Sequence, residues 1–161
     1  IGEGEAGVVI DLGRPGIGVH FHDIQKVTVA LAALGTEFEL DNPVTQLMED
    51  RATGQLKPEI LQEKVLSAII EFKTALDRLP QYFQLIDEIE GELDTVICIG
   101  VASRCGEDGA IPHQAVCEEA GRVLSLNGKT NLGLGRPVGS ESGKTNLGLG
   151  RPVGVNAGGG S

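Results

Sequence analysis

The twelve residues from Gly128 to Gly139, Gly-Lys-Thr-Asn-Leu-Gly-Leu-Gly-Arg-Pro-Val-Gly, recur without a change from Gly143 to Gly154. Each unit offers only two leucines and a valine among its glycines, too little apolar surface to offset the entropy of ordering it. Glycine at that density also rules out a stable helix. Residues 128–161 therefore supply no core of their own and read as a flexible tail, or as a segment that becomes ordered by docking. Gly158-Gly-Gly-Ser161 has the composition of a linker scar, and Ser140-Glu-Ser-Gly143 joins the two units in the same style. A globular domain has to come from residues 1–127, enough for one domain and too few for two ordinary ones.

Charge divides at the same place. The tail holds Lys129, Arg136, Lys144 and Arg151 against the single acid Glu141, leaving nine basic and 22 acidic residues of the chain's 13 and 23 for the body. A basic tail hangs on an acidic body. The net charge of −10 argues against a nucleic-acid partner, and all five aromatics (Phe21, Phe38, Phe72, Tyr82, Phe83) lie before residue 84, so the tail has no platform for base stacking. Cys98, Cys105 and Cys117 are odd in number and lack paired spacing, which suits a reducing compartment. No apolar run is long enough to cross a bilayer and no signal-peptide pattern opens the chain. A cytoplasmic protein with no membrane partner is expected.

Hydrophobic periodicity predicts an α/β or α+β fold, a small sheet covered by helices. Val8 to Leu12, Thr36 to Leu40 and the segment from Asp94 to Ala102 read as strands. Ile24, Val27, Leu31 and Leu34 share a helical face, with Asp23 placed to cap it and Gly35 to end it. Pro43 to Asp50 reads as a short helix, and Ala52-Thr-Gly54 as a break. Beyond Pro58, the spacing of Leu61, Val65, Ile69, Phe72, Leu76 and Leu79 predicts a long helix interrupted by Pro80, and Tyr82, Leu85, Ile86, Ile89 and Leu93 a second. These stripes are core, or a surface for self-association. Pro112 to Leu124 reads as a last helix.

Two phosphate-loop look-alikes fail on context. Gly2, Gly4 and Gly7 match G-x-G-x-x-G, but no strand precedes them and a strand follows. Gly139-Ser-Glu-Ser-Gly143-Lys144-Thr145 has one residue too few between its glycines. His20 and His22, two apart on extended backbone and followed by Asp23, can offer two ligands to a divalent metal, with a third sought from His113, Cys105 or Cys117. No cofactor is otherwise evident. Cys98 is expected to be buried in its strand and Cys105 exposed in the loop after it, where Arg104 would lower its pKa and His113 could serve as its base. His113 and Cys117, four apart, share a helix face.

The order strand, glycine-bearing loop, helix from Asp94 onward is the usual setting for an anion site, which would use Arg104, Gly106 and Gly109. Asp94-Thr-Val-Ile-Cys-Ile-Gly-Val, Arg104, Gly106, Pro112-His113 and Val116 to Leu126 together resemble a segment of the lumazine synthases. The resemblance implies a three-layer flavodoxin-like sandwich, a loop binding the phosphate of a four-carbon substrate, and His113 as the acid/base.

The leading expectation is a binding and assembly protein. Its acidic body self-associates, and Lys129, Arg136, Lys144 and Arg151 of its duplicated tail dock on a neighbouring subunit or partner protein. The alternatives are a carbonyl-condensing enzyme at the 102–113 loop, and a precursor whose two repeats are cassettes for a modifying enzyme.

Overall fold

Alternation of apolar and polar residues along Glu5–Leu12 (β1) sends Ala6, Val8, Ile10 and Leu12 to one side, each at most 3% exposed, in the computed structural model of the chain. The structure describes residues 1–123 together with a two-residue antiparallel pairing of Lys129–Thr130 with Arg151–Pro152. After β1 come Val19–His20 (β2), Phe21–Ala33 (α1), Glu37–Phe38 (β3), Pro43–Gln46 (α2), Met48–Asp50 (β4) and Gln55–Leu56 (β5). Lys64–Val65 (β6), Ala68–Ala75 (β7), Leu79–Ile89 (α3), Ile97–Ser103 (β8) and Pro112–Glu119 (α4) complete the body. The main sheet has the order β3-β7-β1-β8, every neighbouring pair antiparallel. β1-α1-β3 and β7-α3-β8 are thus two β-α-β units whose strands interleave, the ferredoxin-like connectivity. The residues from α2 to β6 are an insertion between β3 and β7.

The fold is mixed α/β, with the sheet's inner face closed by helices. Ile24, Val27 and Leu31 of α1, Leu79, Tyr82, Phe83 and Ile86 of α3, and Cys117 of α4 join the inward residues of β1 and β7 in one core. Phe72 and Tyr82 meet with ring centroids 4.8 Å apart. Gly35 stops α1 at φ 71°, its amide donating to the Ala32 carbonyl. Pro80 sits in the first turn of α3, where its missing amide costs nothing. Beyond α4, Arg122 forms a two-pronged ion pair with Asp87 of α3, which holds the Asp87 carboxyl below its usual pKa, and lies over the Phe83 ring.

Four expectations are corrected. The segment from Leu61 to Leu79 is not a helix: a single turn at Pro58–Ile60 and the short β6 lead into β7. Ala68, Ile70, Phe72 and Thr74 are buried there while Ile69, Glu71 and Lys73 face away, so period two prevails over the three- and four-residue spacing. Pro43 to Asp50 gives one helical turn and then a strand, β4, closed by a turn through Ala52-Thr-Gly54 into β5. Asp23 does not cap α1. The helix begins at Phe21, and the Phe21 and His22 amides donate to the backbone carbonyls of Glu63 and Leu61. The three-layer sandwich implied by the lumazine synthase resemblance is also not what forms, because this sheet is antiparallel.

Candidate functional site

β8 ends and α4 begins at one corner, and the two elements make the closest polar contact there. Ser103, the last residue of β8, points to the inner side, in register with Ala6 of β1. Its Oγ lies 2.7 Å from His113 Nδ1 and accepts a long bond, 3.4 Å, from the His113 amide. Ser103 therefore caps α4 across the sheet boundary. Burial pushes the half-buried His113 below the ordinary imidazole pKa. In that neutral form Nδ1 shares one hydrogen bond with the Ser103 hydroxyl, and Nε2 is the nitrogen left for other partners.

The intervening loop folds on itself. The Gly106 amide donates to the Ala110 carbonyl, the Gly109 amide to the Gly106 carbonyl and the Ala110 amide to the Asp108 carboxylate. The Gly106 and Gly109 amides are thus engaged inside the loop, Arg104 is half-buried with its Nε buried and unpartnered, and Glu107 and Asp108 are exposed. The cysteines invert the expectation. Cys98 is exposed because β8 is an edge strand and residue 98 falls on its outward side, whereas Cys105 is 5% exposed and makes no described hydrogen bond to His113. Cys117 is buried in the core, and that burial raises its thiol pKa.

His20 and His22 do come together, one ending β2 and the other in the first turn of α1, their rings stacked 5.2 Å apart. His22 Nε2 is 3.4 Å from the fully buried Asp23, whose other oxygen accepts from Lys26 at 2.9 Å. His113, Cys105 and Cys117 do not join them. Among the described residues no three His, Cys, Asp or Glu side chains converge on a metal position. His113 and Cys105 belong to the other end of β8, and its six residue steps span about 20 Å.

The sheet's open face is the feature that sequence reasoning missed, because it needs β7 as a strand. The register places Glu37, Lys73, Gly7 and Ala102 in one row across it, Glu71, Val9 and Gly100 in the next, and Ile69, Asp11 and Cys98 in a third. Glu39 extends the second row through its amide to the Glu71 carbonyl, and Glu5 pairs with Lys73 at 3.1 Å. Five carboxylates (Glu5, Asp11, Glu37, Glu39, Glu71) thus share this face with Lys73, which pairs with Glu5, while Asn42 donates to Glu71 and Arg14 sits at the margin on Asp11. On its β1–β8 half Gly7, Gly100 and Ala102 carry little side chain, the Ile1 side chain lies over Gly7, and a cleft of about 470 Å³ is lined by Ile1, Gly7, Val9, Glu71 and Lys73.

Lys129, Arg136, Lys144 and Arg151, the expected docking residues, have side chains outside the described part of the structure. Among the described residues no helix is long and apolar enough to cross a membrane. No protein-family model, curated protein or solved structure matches the chain.

Proposed function

We propose that the protein is a binding and assembly protein whose acidic body receives the duplicated basic tail of a neighbouring subunit or of a partner built like it. The observation that carries this reading is the open sheet face, which bears five carboxylates and one lysine beside a floor of glycine and alanine. A tail of four basic residues, rich in glycine, complements that face in both charge and relief. Opposite charge speeds encounter, and a tether raises the tail's effective concentration.

Light scattering on the full chain tests it. Association should weaken as salt rises from 50 to about 500 mM, because exposed charges are screened over roughly 4–14 Å in that range. Replacing Lys129, Arg136, Lys144 and Arg151 together by Glu should abolish it. A mass independent of both salt and these substitutions removes the basis for the reading.

A second reading, carbonyl chemistry with His113 as proton carrier, is favoured by one observation: the Ser103 contact that orients the imidazole ring. It predicts that a small phosphorylated keto compound shifts the His113 ring resonances in NMR, and a spectrum unchanged at millimolar ligand counts against it.

A further inference from the structure

We infer that the tail docks by strand addition, segment 130–135 or its identical copy 145–150 pairing along the outer edge of β8. The inference rests on the proposed tail docking and places it at the β8 edge, beside the glycine and alanine half of the open face, with carboxylates flanking β8 as its charge partners. The two edges of the main sheet are unlike. β3 is two residues long and carries an exposed Glu, the usual defence against edge pairing. β8 runs seven residues, Ile-Cys-Ile-Gly-Val-Ala-Ser, without a charge, a proline or a bulge. Among the described residues no backbone hydrogen bond reaches its outer groups. A strand of that length left bare invites pairing with another chain.

The tail has the pattern such an edge accepts. Thr130, Leu132 and Leu134 alternate with Asn131, Gly133 and Gly135, a period of two, and Thr145 to Gly150 repeats it. Side by side with β8, the leucines fall on the inner side, next to Ile97, Ile99 and Val101. These three are only partly buried, unlike their register partners Leu12, Ile10 and Val8 in β1. The tail glycines then fall on the open side beside Gly100 and Ala102. Charge fits at both ends. Lys129 and Arg136 flank the segment, while exposed Glu92 and Asp94 precede β8 and exposed Glu107 and Asp108 follow it. Reach is sufficient. The described body ends at Val123, four residues beyond α4, and the six residues to Lys129 span up to about 20 Å when extended, room for the segment to leave its own body.

Hydrogen exchange read by mass spectrometry on the full chain tests this. The comparison is a variant carrying Leu132→Asp, Leu134→Asp, Leu147→Asp and Leu149→Asp, which leaves the core untouched. Peptides covering 97–103 should exchange about tenfold or more faster in the variant, since outward amides exchange readily once unpaired. Equal and fast exchange in both proteins overturns the inference. If the Lys and Arg substitutions above still abolish association, the tail docks elsewhere and the broader proposal stands; if they do not, both fall. Slow exchange in both proteins that quickens on dilution assigns the edge to β8 of a second copy instead, which also overturns it.

Discussion

Two adjacent isoleucines in β7 distinguish the strand from the helix that its spacing suggests. Ile70 is 1% exposed and lies in register with Ile10, whereas Ile69 is partly exposed on the other side of the sheet. Ile70→Ala removes three buried carbons, about 2.4 kcal/mol at roughly 0.8 kcal/mol each. The cavity left behind, in a core walled by rigid strands, raises the cost to about 3–4 kcal/mol. Ile69→Ala loses atoms that keep part of their contact with water, and should cost about 1 kcal/mol or less. Urea unfolding followed by circular dichroism measures the difference. With a slope of roughly 1.5–2 kcal/mol per molar, the midpoint should fall by about 2 M for Ile70→Ala and by about 0.5 M for Ile69→Ala. Equal losses, or a larger loss at Ile69, would refute the assigned register, because Ile69 and not Ile70 belongs to the helical stripe.

Gly54→Ala and Gly35→Ala form a second pair. Both glycines hold φ near +70°, but a Cβ at Gly54 would fall on the Thr28 carbonyl while one at Gly35 meets nothing. Gly35→Ala should cost about 1–2 kcal/mol of backbone strain and Gly54→Ala clearly more, read by the same unfolding curves. Burial depresses the His113 pKa below its ordinary 6.5, so the unfolded chain binds the additional proton in the window below that value. Stability should therefore fall as pH drops below about 6.5, and His113→Gln should flatten that part of the profile. Titration with a thiol reagent should modify Cys98 first. Cys105 and Cys117 are buried, and Cys117 is also kept in its thiol form, so both should react only as the chain opens.

Much of the fold was legible wherever a single period governed the residues. β1, β3, α3 and β8 follow the apolar spacings read from their residues, α1 takes the helix its stripe suggests over the strand that Val27-Thr28-Val29 also allowed, and Gly35 ends that helix as its residue type predicts. β7 was not legible because Ile69-Ile70-Glu-Phe72-Lys-Thr74 fits two periods at once. Its placement between β3 and β1 is decided by pairing with residues more than thirty positions away. The cysteine environments were misjudged for a related reason. Cys98 would be buried in a sheet covered on both faces, and nothing in its own segment shows that its face is the uncovered one at an edge strand. Ser103 left only a faint sign, a hydroxyl at the end of an apolar strand ten residues before a histidine. The stacking of His20 on His22 follows from their spacing, whereas the absence of a third ligand follows from the length of β8.

The carbonyls of Leu61 and Glu63 that close the start of α1 also constrain when that helix can form. Its first turn must wait until a loop of about forty residues has been closed, and β1 finds its neighbours only in segments that follow it by more than fifty residues. Such non-local pairing makes for slow folding. During synthesis the N-terminal third would therefore leave the ribosome as an incomplete template, acquiring its final shape only after β7 emerges and threads between strands already made.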